Sequence, residues 1–330
     1  MKLFLTHKSA LEYWRLHGLA QDGLKNRQRR TTVPSDPPDS STLRDVKTWG
    51  LSLPLDITVG TMDARRISRS IHSHLLGGSL PEGCIVYVGD GLFVSSPELC
   101  FFQMATELPI VKLIELGFEL CGSYSLPAPG ITGTDPSIAK GFYNRPPLTS
   151  IRKLTTFLDQ MVGMKGRKRA LQASQFIADN SASPMETVLV MLLSLPNRLG
   201  GYHLPKPELN AHVVPAKSAR HLTRKAYYSL DLFWPDVNVT AEYDSDMFHT
   251  GAERIAKDSK RRNDLASIGI EVITITSQQI RNPMEFEKSV KQLASSMGKR
   301  LRNNEDTGFL KAQRDLRGLL FASNRGAVHN

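Results

Sequence analysis

The C-terminal half of the chain has the clearer alternation of apolar and polar positions. SPMETVLVMLLSLP (183–196) repeats Met185, Val188, Leu189, Leu192 and Leu193 at helical spacing. Three short apolar runs follow: LNAHVVP (209–215), YYSLDLF (227–233) and VNVTAEYD (237–244). Each has the length of a strand, and Trp234-Pro235-Asp236 makes a tight turn between the last two. GAERIAKDSKRRNDLASIG (251–269) is a polar helix that stops at Gly269, and the β-branched IEVITIT (270–276) closes as a strand. The expected order is αβββαβ. A further helix is expected over 285–298, and from Lys299 the tail is basic and weakly patterned.

The first half is more mixed. Residues 7–20 predict a short helix with Leu11, Tyr13, Trp14, Leu16 and Leu19 on it and Thr6 as a cap. KNRQRRTTVPSDPPDSST (25–42) combines a basic cluster with Pro, Ser and Asp and is expected to be a loop or linker. LDITVG, CIVYVGDGLFV and FELCGSY are strand candidates, with Gly89-Asp90-Gly91 as a turn. Ser96-Pro97-Glu98 opens a helix. Residues 127–149 form an irregular connector, and from Ile151 the pattern turns helical. The expected domains are an N-terminal helix and linker (1–42), a mixed α/β domain (43–148), a C-terminal domain (149–298) and a tail (299–330).

Composition narrows the class. Hydrophobic residues make up 40% and charged residues 22% of 330, enough for packed cores. Lys and Arg outnumber Asp and Glu by 42 to 32, and this net +10 points to a polyanionic partner, nucleic acid ahead of an acidic protein or membrane surface. Cys84, Cys100 and Cys121 show no C-x-x-C spacing, so neither a disulfide framework nor a zinc knuckle is expected. No run reaches the ~20 apolar residues of a membrane span. These features fit a soluble cytoplasmic protein with no membrane partner.

The candidate chemistry lies in the hairpin. Side chains alternate along a strand, so Asn238, Thr240, Glu242 and Asp244 share one face, and Glu242 and Asp244 are neighbours on it. Asp231 lies on the preceding strand and joins them in the right register. Acids set side by side are costly unless a metal or a proton neutralises them. The alternative is the ordinary polar face of an amphipathic strand. Glu186 adds a fourth acid, although the spacing Ser183-Pro-Met-Glu186 is also that of a capping box. Cations flank the acids: Lys217, Arg220, Arg224 and Lys225 before the second strand, and Lys257, Lys260, Arg261 and Arg262 on the polar helix. These suit DNA phosphates, or a solvated helix face.

Taken together, SPMETVLVMLLSLP, DLFWPDVNVTAEYDSDMFH and KDSKRRNDLASIGIEVITIT resemble the endonuclease-like family related to very-short-patch-repair enzymes, within the PD-(D/E)XK superfamily. The resemblance covers about residues 165–280. It implies an α/β (mixed α+β) fold with a restriction-endonuclease-like αβββαβ core. It makes Asp231 and Glu242 the acids holding Mg²⁺ or Mn²⁺, and Glu186 a helical glutamate beside a second metal. Where the superfamily carries the lysine of its E-x-K motif, this chain has Asp244. Lys257 or Lys260 from the helix, or His249 as a base, then stands in for that lysine. The stretch Ile71–Leu113, with VGDGLFVSSPELCFFQMA, more weakly resembles AbiEi-type abortive-infection antitoxins.

The expected function is metal-dependent hydrolysis of DNA phosphodiester bonds, in phage defence or repair. The alternative is a non-catalytic nucleic-acid-binding regulator, antitoxin-like, with a degenerate nuclease core. Symmetric double-strand cleavage would call for a homodimer, and the antitoxin resemblance implies a toxin or defence-system partner.

Overall fold

The computed structural model describes residues 3–18, 50–76, 80–89, 91–128, 141–223, 225–245, 252–301 and 306–323. The chain divides by contacts into two compact units, Met1–Ile177 (with Asn324–Asn330) and Ala178–Ser323. Both combine helices and sheet, as expected of a mixed α/β chain. The division falls at Ile177 rather than near 148, because the helices after Ile151 pack on the N-terminal unit.

In the N-terminal unit, β1 (Leu3–Leu5), β2 (Leu55–Val59), β3 (Ile71–Leu75), β4 (Ile85–Gly89) and β5 (Leu92–Ser95) form one sheet, ordered β3-β2-β1-β5-β4. β1 runs parallel to β5 and antiparallel to β2, while β2 and β3 are parallel. The first residues thus sit mid-sheet, and with α1 (His7–His17) they belong to this unit instead of a separate N-terminal segment. Thr6 is the N-cap by position but makes no side-chain capping bond. α2 (Pro97–Met104) starts as its sequence predicts, with Ser96 Oγ accepting from the Leu99 N–H.

FELCGSY is a correction: Phe118–Cys121 end α3 (Ile110–Cys121), and only Tyr124–Ser125 forms a short strand, β6, paired with β7 (Tyr143–Asn144). The polar stripe that marks this helix, Lys112, Glu115 and Glu119, lies mostly upstream of FELCGSY, and the short apolar end taken alone does not distinguish a helix from a buried strand. Gly117 lies where Ile177 and Phe101 press on the helix, leaving no room for a Cβ. Arg15 of α1 donates to both carboxylate oxygens of Glu119 at 2.8 and 2.6 Å, tying α1 to α3. α4 (Ile151–Gln160) and α5 (Arg167–Ser174) complete the unit.

The C-terminal unit follows the expected order: α6 (Pro184–Ser194), β8 (Glu208–Val213), β9 (Tyr228–Trp234), β10 (Val239–Asp244), α7 (Ala252–Ser267), β11 (Glu271–Thr276). Its sheet runs β11-β10-β9-β8, with β10 and β11 parallel and the other pairs antiparallel. Tyr228 and Leu230 pack one face of β9 against Leu265 of α7 and Ile270. α6 contacts β9 and β10.

α8 (Ser277–Arg281) and α9 (Pro283–Ser296) follow, and the tail contains α10 (Thr307–Ser323), which packs on α6 and on the turn at Asn197–Leu199. That helix corrects the expectation of a weakly patterned tail. Its buried stripe of Phe309, Gln313, Leu316, Arg317 and Leu320 includes two polar residues and alternates with Lys311, Arg314 and Asp315, which hides the period. Arg317 donates through one guanidinium nitrogen to the Ile280 carbonyl at 2.6 Å and lies over the Phe286 ring, 5.2 Å from the guanidinium carbon. Its Nε and other terminal nitrogen are buried with no hydrogen-bond partner among the described residues.

Candidate functional site

The acids meet through strand register. β9 and β10 pair Val239 with Trp234, Thr240 with Phe233 and Ala241 with Leu232. One step further along the same register, Glu242 stands opposite Asp231. β8 pairs Leu209 with Leu232 and Ala211 with Leu230, so Asn210 stands opposite Asp231 on the other side. β10 pairs Glu242 with Thr274 of β11. Asn210, Asp231, Glu242 and Thr274 therefore form one row across the sheet.

Hydrogen bonds hold that row. The Tyr243 N–H donates to Asp231 Oδ2 at 2.9 Å, and the buried Thr240 hydroxyl reaches Glu242 Oε1 at 3.3 Å. Arg261 of α7 donates through one guanidinium nitrogen to Glu242 Oε2 at 2.9 Å and to the Ser229 carbonyl at 2.6 Å.

Glu186 both caps α6 and faces the row. Ser183 Oγ accepts from the Glu186 N–H at 3.2 Å and donates to Glu186 Oε1 at 3.0 Å. Glu186 Oε2 accepts from the Ala182 N–H at 2.9 Å, so the glutamate reaches one residue further back than a capping box requires. The same oxygen accepts from Asn210 Nδ2 at 2.7 Å. Asn210 has a left-handed backbone (φ 48°), and its Nδ2 also donates to the Asn180 carbonyl at 2.9 Å. Sequence patterns single out Glu186 but not Asn210, because an asparagine within a strand carries no signal until its partner strand is known.

Electrostatics mark Asp231 as the strained member. Burial pushes its carboxyl up to about 7, with Glu242 and Glu186 adding to the rise and the Tyr243 N–H and Arg261 opposing it. Glu186 is also raised, first by burial and last by Glu242, while bonds from Ala182, Asn210 and Ser183 pull it back. Three acids thus repel one another around one face and Arg261 offsets them, a donor set whose chemistry suits a divalent cation.

The remaining candidates are less gathered. Asp244 lies two residues beyond Glu242 on the same face of β10. Arg220, Lys225, Lys257, Lys260 and Arg262 are exposed, whereas Arg261 turns inward to Glu242. His249, Arg224 and the basic cluster of 25–42 lie outside the described residues.

Side chains able to hold a metal ion are most closely gathered elsewhere. Among the described residues, the sets of three or more such groups whose ligand atoms all lie within 4.8 Å of one another belong to the N-terminal unit: His7, His74 and Glu107, and Asp56, His72 and His74. Glu186, Asp231 and Glu242 are not drawn together that tightly. Burial, with His74 beside it, lowers the His7 imidazole to about 3, so it is neutral at ordinary pH. The reading of the sequence missed this cluster; the H-x-H spacing at 72 and 74 is its one local trace. The described residues contain no helix long and apolar enough to cross a membrane.

Comparison with protein-family models, with curated proteins and with solved structures found no match for this chain.

Proposed function

We propose that the C-terminal unit is a Mg²⁺- or Mn²⁺-dependent endonuclease acting on DNA phosphodiester bonds. The observation that carries this reading is Asp231 opposite Glu242 across β9 and β10, with Glu186 beside them and Asp231 pushed up to about 7. Asp231 and Glu242 would ligate the cation directly. Glu186, already bonded to Ser183, Ala182 and Asn210, would support it from the next sphere. A divalent cation bound there lowers the pKa of a coordinated water and offsets charge on the phosphoryl oxygens. Thr240 and the Tyr243 N–H hold the two acids in orientation. Exposed Lys257, Lys260 and Arg262 on α7 would position the phosphate backbone. Exposed Tyr227, stacked on His212 with ring centroids 5.1 Å apart, offers a surface for an unpaired base.

The test is incubation with supercoiled plasmid and Mg²⁺ or Mn²⁺, beside an Asp231→Ala/Glu242→Ala variant. Metal-dependent nicking that disappears in the variant is expected; equal nicking by both proteins would refute the assignment.

A second reading, a nucleic-acid-binding regulator with a degenerate nuclease core, has its own support. Arg261 pairs with Glu242 and so offsets one of the acids, and Asp244 stands where the superfamily has a lysine. In the N-terminal unit, an open cleft of about 530 Å³ is lined by Lys165, Lys168 and Arg169. Under this reading DNA binding is salt-sensitive and survives loss of the acids.

A further inference from the structure

We propose that the N-terminal unit binds one divalent transition-metal cation of the zinc class between His7, His74 and Glu107, with Asp56 holding His74 in place. The site is independent of the nuclease reading and uses none of its residues.

Three separate segments build it. β2 and β3 pair Asp56 with His72 and Thr58 with His74, so the alternating residues of both strands present two imidazoles, a carboxylate and a hydroxyl on one face. His7 arrives from the adjacent strand, since β1 pairs with β2 through Leu5 and Ile57. Glu107 follows α2. His7 starts α1 with a left-handed backbone, φ 47°, rare for a residue with a Cβ. Its N–H donates to Gln103 Oε1 at 3.1 Å, which anchors that conformation. The result is a His7 ring stacked on that of His74, centroids 3.6 Å apart and 19° from parallel. Each ring's lone pair lies in its own plane, so a cation shared by His7 and His74 requires one of the two rings to turn out of the stack.

The distances separate hydrogen-bonded partners from candidate ligands. Asp56 Oδ1 is 2.8 Å from His74 Nε2 and 3.1 Å from His72 Nδ1, both ordinary hydrogen bonds. His7 Nε2 and Glu107 Oε1 are 3.9 Å apart, too far to bond each other. Ligands on one tetrahedral zinc, with bonds of about 2.0–2.1 Å, stand roughly 3.3 Å apart. The His7–Glu107 gap is therefore close to the width of one ion, and a contraction of about half an ångström closes it.

The surroundings are those of supported ligands. His7 Nδ1 lies 3.0 Å from Thr6 Oγ1, which in turn accepts from the Thr58 hydroxyl at 3.1 Å. With Nδ1 donating to Thr6, the Nε2 lone pair is left on the side of Glu107. Asp56 does the same service for His74, as carboxylates behind metal-bound histidines commonly do. Two imidazoles and one carboxylate favour zinc and its neighbours over Mg²⁺ or Ca²⁺, which take oxygen ligands. The side chains of His7 and His74 are 10% and 20% exposed and Glu107 is 37% exposed, so the site is shielded yet open on its carboxylate side.

The test uses the full chain carrying Asp231→Asn and Glu242→Gln, so that the C-terminal acids do not contribute. Chelator-stripped protein is titrated with Zn²⁺ against a chromophoric chelator, and with Co²⁺ followed by visible absorption. One Zn²⁺ per chain is expected, with Co²⁺ d–d bands of a nitrogen- and oxygen-ligated site. His74→Gln and Glu107→Gln should each weaken Zn²⁺ by at least about 10-fold. Glu107, partly exposed, can be changed without disturbing the stacked rings, and circular dichroism checks that both variants fold. No stoichiometric binding, or unchanged affinity in both variants, overturns the proposal. So does equal competition by Mg²⁺.

Discussion

The acid row of the C-terminal unit and the histidine cluster of the N-terminal unit concentrate ligand-type side chains by different means. In the acid row two carboxylates come from neighbouring strands of one sheet and a third, Glu186, from α6, and these carboxylates repel one another. In the cluster the side chains come from β2, β3, the start of α1 and the turn after α2, and imidazoles outnumber carboxylates. The N-terminal groups largely satisfy each other through Asp56, and the gap between His7 and Glu107 is ion-sized. The C-terminal groups are left with excess negative charge that one arginine partly offsets. An oxygen-rich row of that kind suits a hard cation, and the imidazole-rich cluster a borderline one.

The contrast breaks most visibly at the residues supporting the acids. Glu186→Gln and Asn210→Ala should each lower Mg²⁺-dependent nicking by about 10–100-fold, because they remove the hydrogen bonds that hold the row's flank. Zn²⁺ affinity of the same variants should match wild type. A nicking rate unchanged in both would separate Glu186 from the site and leave it a cap.

Stability against pH is the next largest effect. Asp231 keeps its proton to about 7 in the folded chain, against an ordinary value of 3.8. Below about pH 4 it is protonated in both states and contributes no difference. From there to about pH 7 the unfolded chain loses the proton while the folded chain retains it, so stability falls as pH rises, then levels off. The ceiling is about 4 kcal/mol, and partial solvation of a half-buried carboxyl brings the expected loss to about 2 kcal/mol. Urea denaturation of metal-free wild type and Asp231→Asn from pH 4 to 8 measures it. The variant should gain relative to wild type as pH rises, and parallel curves would mean that Asp231 is not perturbed.

The smallest effects concern exposed cations. Lys260→Ala and Arg262→Ala should each reduce the slope of log binding constant against log salt for duplex DNA by about 1. Lys288→Ala, on a helix outside the row and paired with Glu285 at 2.8 Å, serves as the control and should leave the slope unchanged. A slope that moves equally in all three would place DNA elsewhere on the molecule.

Much of this architecture was legible along the chain, and the failures have local causes. The αβββαβ order, the turn after Trp234 and the stop at Gly269 come from strong periods and punctuation. FELCGSY failed because the polar stripe of its helix, Lys112, Glu115 and Glu119, lies mostly upstream of those seven residues. The terminal helix failed because its buried stripe includes Gln313 and Arg317. The division between units failed because α4 and α5 carry no mark of which core they cover.

Two-residue alternation is a property of the extended backbone, so Glu242 and Asp244 share a face whatever the rest of the chain does. The cap at Ser183 is equally local. What lies opposite Glu242 is a matter of register between segments, and a slip of one residue would have turned Asp231 to the other face. Asn210 joined the site by the same pairing. The histidine cluster is the limiting case: His7, Asp56, His72, His74 and Glu107 span a hundred residues, and no local dihedral preference connects them. Only strand pairing within one sheet, and the helix that returns from it, brought those side chains to a common point.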